Sequence, residues 1–222
     1  MNTICDFVLT GEMPILIHAD DIDASDDLKA WRTDPTNKKH SVPGDDRSPA
    51  WTWQCYLYKD EEHLIMPSEN VMAAIRYGAK KVLTGKKQET FGRISQSGLL
   101  IPTAKCEFFG PNGKVPTTLL KEIHDLPFGD QANKVKKYGF ELFKKRCPIG
   151  NSKHVRVRAK FEQWQVKGQI EILDDLITVE RLTTILELSG KYSGLGDWRP
   201  SAPKSPGPYG RFTAKVTKAK AR

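Results

Sequence analysis

The stretch KHVRVRAKFEQWQVKGQIEIL, residues 153–173, decides how this chain is read. Val155, Val157, Ala159 and Phe161 alternate with Arg156, Arg158 and Lys160. Successive side chains of a strand point to opposite faces, so a period of two predicts a strand with one apolar and one cationic face. The phase slips at Glu162-Gln163, and Trp164, Val166, Gly168, Ile170 and Ile172 then resume it. Two tightly joined strands, or one strand with a bulge, fit that slip.

Outward from this stretch, residues 3–10 read as a strand, broken at Gly11 and Pro14 and resumed by Ile15-Leu16-Ile17-His18. Residues 19–50 are polar and acidic and read as a long loop, and residues 51–58 alternate like a half-buried strand. Pro67-Ser68-Glu69-Asn70 opens a helix with Ser68 as its cap; Val71, Ile75, Gly78, Ala79 and Val82 form its apolar face and Gly85 its stop. A strand is expected from Ser97-Gly98-Leu99 through about Phe108, followed by a turn at 110–113. Thr178 starts a second helix with Val179, Leu182, Ile185 and Leu186 inward, and Gly190 is its expected stop. A last strand covers 211–216. The order strand, helix, strand, strand, helix, strand predicts an α+β fold with a ferredoxin-like, RNA-recognition-like core (βαββαβ). On this reading 1–222 is one domain with insertions at 19–62 and 111–152, after the first and second strands, and a basic tail at 218–222.

Charge is unevenly placed over the 222 residues. The chain has 35 Lys+Arg and 27 Asp+Glu, a net charge of +8. Residues 1–66 carry 13 acids and 6 bases, whereas 67–222 carry 14 acids and 29 bases. A basic body of this kind suits a polyanionic partner, and an ordinary solvated Lys-rich surface is the alternative. Five Trp, six Tyr and nine Phe are enough for a core, which argues against disorder throughout. No run reaches the roughly 18 apolar residues of a membrane helix, and Met1-Asn2-Thr3-Ile4-Cys5-Asp6 lacks a signal-peptide pattern. A cytoplasmic protein without a membrane partner is therefore expected. Cys5, Cys55, Cys106 and Cys147 are widely spaced with no CxxC, which predicts buried free thiols rather than a disulfide framework or a zinc site.

Several groups could meet a nucleic acid. Gly194-Leu195-Gly196-Asp197-Trp198-Arg199-Pro200, closing at Tyr209-Gly210-Arg211, could bring backbone N–H groups to a phosphate. Arg199 and Arg211 would add charge, and Trp198 or Tyr209 could stack on a base. The alternative is a helix-to-strand connection in which Gly and Pro only shape the turn. Arg156, Arg158 and Lys160 form a cationic stripe that suits phosphates, or an ordinary solvent face. Ser68 with Arg76 and Lys80 could make an anion site on the first helix. Lys136 and Lys137 belong to a basic run from Lys134 to Arg146 interleaved with Tyr138, Phe140 and Phe143.

Catalytic signals are sparse. His18, His40, His63, His124 and His154 show no metal-ligand spacing, and Asp20, Asp21, Asp23, Asp26 and Asp27 lack the pattern of an EF-hand. Gly194-Leu195-Gly196 opens no helix, so a dinucleotide fingerprint is not supported. No cofactor or metal is expected.

The segment Ile65-Met66-Pro67-Ser68-Glu69-Asn70-Val71 through Arg76, with Phe91-Gly92 and Ser97-Gly98-Leu99-Leu100 after it, is similar to the RAMP superfamily. It resembles the backbone subunits of class 1 CRISPR effector complexes, and the segment from Gly194 to Arg211 resembles the superfamily's glycine-rich loop. Met72 stands where the family often has Lys or Arg, and only Ser68 remains of its serine pair, as in a diverged, solitary or virus-encoded relative. The resemblance implies a role in antiviral defence, with subunits polymerising along a guide RNA. Ser68 and Arg76 would map to the helix contact, and residues 134–146 to a thumb by position. Some relatives cut RNA with an Asp after the first strand, the region of Asp20, Asp21 and Asp23.

Together these readings predict a protein that binds single-stranded nucleic acid, RNA before DNA, and self-associates along the strand into a filament or larger nucleoprotein complex. Two alternatives stand beside it. One is a metal-dependent or His-assisted endoribonuclease of the same superfamily. The other is a decoy that imitates such a subunit and binds a protein complex.

Overall fold

The computed structural model describes residues 3–150 and 152–219. The chain runs through strands β1 (Thr3–Gly11) and β2 (Ile15–Ile17), helix α1 (Ile22–Thr33), a 3₁₀ helix (Thr52–Tyr56), β3 (Ile65–Pro67), α2 (Ser68–Ala79), α3 (Phe91–Gly98), β4 (Leu99–Leu100) and β5 (Lys105–Phe109). It continues through α4 (Thr118–Ile123), α5 (Phe128–Lys136), β6 (Glu141–Ile149), β7 (Ser152–Phe161), β8 (Gln165–Ile172), α6 (Val179–Tyr192) and β9 (Phe212–Lys218). The fold is α+β with antiparallel sheets, and it divides into two compact units. Among the described residues no helix is long and apolar enough to cross a membrane.

The first unit comprises residues 3–15, 65–109 and 162–219. Its sheet has the order β3-β5-β8-β1-β9, with β4 also on β8. Its strands pair antiparallel: Phe7 faces Gly168 on one side and Val216 on the other. One face buries Cys5, Phe7, Leu9, Cys106, Phe108, Val166, Ile170 and Phe212. Helix α2 packs along α6, and α6 along β9. Burying this apolar set is the main driving force for the unit. The alternate positions are mostly polar: Thr10 lies opposite Gln165 and Thr213, and Val8 sits between Lys167 and Lys215.

The second unit comprises residues 16–64 and 110–161 and carries the sheet β2-β7-β6. Strands β6 and β7 form a long antiparallel hairpin, from Glu141 opposite Lys160 to Ile149 opposite Ser152. Phe140 stacks on Phe161 at 4.8 Å, and Trp53 Nε1 donates to Gln131 Oε1 at 2.7 Å. That bond satisfies the indole N–H in a site where both residues are fully buried.

The structure corrects several expectations. The phase slip at 162–163 separates two sheets, because β7 lies in the second unit and β8 in the first. Residues 51–58 form no strand: Thr52–Tyr56 is a 3₁₀ helix, with Thr52 N–H donating to Pro49 O and Gln54 N–H to Trp51 O. Thr52, Trp53, Gln54 and Cys55 are all buried, so their alternation never marked two faces. The expected loop at 19–50 contains α1, whose one buried residue is Leu28, so no apolar stripe announces it. Ser97 and Gly98 end α3 and do not begin a strand. Helix α2 ends at Ala79, well before Gly85. Helix α6 passes through Gly190 to Tyr192, so Gly190 is no stop. Of the expected tail, Lys218 ends β9, and residues 220–222 lie outside the described residues.

Gly190 has a different role. A Cβ there would overlap the carbonyl oxygen of Phe212, so α6 rests directly on the backbone of β9. Gly→Ala inside a helix normally stabilises by about 0.5–1 kcal/mol. Here Gly190→Ala is expected to destabilise by roughly 1–3 kcal/mol or more through overpacking. Urea unfolding followed by tryptophan fluorescence checks the sign.

Candidate nucleic-acid interface

The sequence offered three cationic groups and one glycine-rich loop, and the structure uses them very differently. The stripe Arg156, Arg158, Lys160 is corrected first. Arg158 is buried, and its Nη1 lies 3.3 Å from Asp46 Oδ2. Arg156 Nη1 donates to Asp46 Oδ1 at 3.0 Å, and Val157 N–H donates to Oδ2 at 3.1 Å. Asp46 itself is 1% exposed. Arg158 also donates to His18 Nε2 at 3.2 Å and lies 4.3 Å from the Tyr56 ring centroid. A guanidinium only donates, so His18 Nε2 is the acceptor there. Lys160 pairs with Glu141 at 3.1 Å. Each of these three cations therefore has a carboxylate partner within the fold, with Arg156 and Arg158 sharing Asp46, and they do not form a uniform outward stripe.

The helix group is also dispersed. Ser68 is the first residue of α2, the N-cap is Pro67, and no side chain caps the helix. Ser68 N–H donates to Ala104 O at 3.1 Å, and Glu69 already places a negative charge in the first turn. Arg76 stands eight residues along and Lys80 is the C-cap, which at 1.5 Å per residue puts them about 12 and 18 Å from Ser68. They belong to the opposite end of the helix.

The glycine-rich loop is closed by its own contacts. Gly194, Gly196 and Gly210 have positive φ, and so does Trp198 at 50°. Gly210 shows why: a Cβ there would overlap the Leu195 carbonyl, whose own N–H donates to Gly210 O at 2.9 Å. Arg199 Nη1 donates to Gly196 O at 3.0 Å and Nε to Ser201 Oγ at 3.1 Å. Trp198 and Tyr209 lie 5.4 Å apart, each covering part of the other. Arg211 donates to the Lys191 carbonyl at the end of α6.

Lys136 and Lys137 are exposed at the end of α5. Lys134, Lys137, Asn133, Asp130 and Leu126 line an open depression of about 410 Å³. On β6, Lys144 and Arg146 are exposed, with Lys144 Nζ 5.9 Å from the Phe128 ring. The segment 110–161 carries 12 Lys+Arg against 4 Asp+Glu.

Of the acidic candidates, Asp21 caps α1 by accepting from Ala24 N–H at 3.1 Å and lies 3.8 Å from Lys59. Asp23 occupies the first turn of α1 and Asp20 is exposed beside it. Carboxylates at a helix N-terminus complement its dipole, which accounts for Asp21 and Asp23 without catalysis. Among the described residues no group of three His, Cys, Asp or Glu side chains could hold a metal ion. Reading the sequence missed Asp46, Tyr77, Lys81 and Tyr192. Tyr77 carries a weak signal, since it stands off the apolar face of α2, and Lys81 follows just past that helix's end.

No protein-family model matches the chain, and no curated protein matches it.

Two outcomes follow from these contacts. Asp46→Ala leaves a buried guanidinium without its carboxylate and is expected to cost about 3–5 kcal/mol in urea unfolding; adding Arg158→Met should recover part of it. The thiols supply the second. Burial pushes Cys55 and Cys106 up to about 11 and raises Cys5. Cys147 is partly exposed. At pH 8 a thiol reagent should modify Cys147 quickly and all four cysteines only in denaturant. Because the folded state favours the protonated thiols, their contribution to stability is full below about pH 9 and falls as pH rises toward 11.

Proposed function

We propose that the protein binds single-stranded RNA, chiefly through the cations that α5 and β6 leave exposed. The observation that carries this reading is the contrast within segment 110–161. Arg156, Arg158 and Lys160 have carboxylate partners, whereas Lys134, Lys136, Lys137, Lys144 and Arg146 stand at the surface with Phe128 beneath Lys144. Exposed cations interleaved with aromatic rings track a phosphate backbone and stack bases without reading sequence. The order β9-β1-β8-β5 with α6 leading into β9 supports a ferredoxin-like core, on which the RAMP resemblance rests. On the same reading, the acidic residues 1–66 meet the basic body of a neighbouring copy, and copies add head-to-tail along the strand.

Fluorescence anisotropy with labelled single-stranded RNA, single-stranded DNA and duplex, over a salt series, tests the proposal. Tight RNA binding is expected, with a log–log salt slope of about 0.7 per phosphate contacted and a step in affinity as the oligonucleotide lengthens. The triple variant Lys134→Glu, Lys136→Glu, Lys137→Glu should weaken binding at least tenfold. Binding that is only weak at about 0.15 M salt, or a triple variant equal to wild type, would sink the idea.

A further inference from the structure

The C-terminal ends of α2 and α6 carry an aromatic and cationic cluster that no motif announced. Tyr77 on α2 is 37% exposed, and Tyr192, the last residue of α6, is 42% exposed. Lys81 Nζ lies 5.7 Å from the centroid of each ring, so one ammonium stands between the two tyrosines. Lys191 Nζ is 5.5 Å from the Tyr192 ring. Arg211 is tied to the Lys191 carbonyl, which brings a further guanidinium to the same end of α6.

The spacing of the rings is fixed by packing. Gly78, next to Tyr77, faces Ser189, and a Cβ at 78 would overlap Ser189 Oγ and come within 2.6 Å of Ile185 O. Ser189 Oγ is itself held by Ile185 O at 2.7 Å. The two helices therefore meet closely at Gly78 and Ser189, next to Tyr77 and three residues before Tyr192, and little backbone freedom is left to lose when a ligand is held.

We infer that Tyr77 and Tyr192 form a stacking subsite for two unpaired bases of a single strand, with Lys81 holding the phosphate between them. The inference rests on the RNA-binding reading and adds a site to it in the other unit. A tyrosine face accepts any base, and an ammonium already placed at two rings is placed for the anion that links two nucleotides. A duplex stacks its bases on each other, so it offers these rings nothing. Lys81, Lys191 and Arg211 favour a polyanion over an apolar protein surface.

The test measures affinity and contact together. RNA carrying 5-iodouridine is crosslinked to the full chain and the modified residues are mapped by mass spectrometry, beside anisotropy on Tyr77→Ala, Tyr192→Ala, the corresponding Phe variants and Lys81→Glu. Crosslinks at Tyr77 or Tyr192, a roughly tenfold loss for each Ala variant, near wild-type affinity for the Phe variants and a weaker salt dependence for Lys81→Glu are expected. Exposed Lys81 gives a variant that keeps its fold if Tyr77→Ala does not. Wild-type RNA affinity in both Ala variants, with no crosslink, overturns the subsite while the α5 and β6 reading stands. Loss of self-association with RNA binding unchanged also overturns it, and assigns the cluster to a second copy. A wild-type chain that binds no RNA removes both readings.

Discussion

Helix α6 touches the sheet through backbone, and much of the first unit follows from that one constraint. At Gly190 nothing larger than hydrogen fits beneath the helix, because the Phe212 carbonyl occupies the space. One residue earlier, Ser189 meets Gly78 of α2 just as closely. Two close approaches on adjacent residues fix α6 against β9 on one side and α2 on the other. The exit of α6 is thereby fixed as well. Gly194, Gly196 and Gly210 must then turn the chain back within a short span, and they do so with positive φ. The loop is a consequence of where the helix ends. Its arginine and its indole are committed to closing it, through Arg199 on Gly196 and Trp198 on Tyr209.

In the second unit the organising group is a charge. Asp46 is buried and accepts from Arg156, Arg158 and the Val157 N–H. Burying a carboxylate is tolerated only when its lone pairs are met this fully. The network joins the segment around Asp46 to β7, while Arg158 reaches on to His18 and Tyr56. Cationic residues that a composition count treats alike are split by this geometry into a structural set and a surface set.

What was legible in the sequence was periodicity against a buried face. The strand at 3–10, the second strand of the opening stretch and the Thr178 start of α6 all have an apolar side that packs and a polar side that does not. What was illegible depends on partners far along the chain. Asp46 lies 110 and 112 positions from its arginines, so no local pattern links them. The alternation over Arg156, Arg158 and Lys160 was real, but it could not distinguish a solvent face from one facing a buried carboxylate. Gly190 read as a stop because glycine usually ends helices, yet here close packing selects it inside one. That reading also hid Tyr192, which only becomes a helix-end residue once the helix continues past Gly190.

The same distinction bears on how the protein could hold a polyanion. Salt-dependent affinity comes from counterions released when protein cations replace them at phosphates. A guanidinium held by Asp46 gives up part of that pairing when it turns to a phosphate, and removing it leaves the buried carboxylate less fully met. Arg156 and Arg158 are therefore tied to the stability of the second unit through Asp46. Loop residue Arg199 is held by its own backbone in a similar way. Among the exposed cations, those at helix ends and on β6 project from fixed backbone. Net charge counts the arginines of β7 and the lysines of α5 and β6 alike; hydrogen-bond accounting separates them, and the proposed RNA-binding reading rests on the second set.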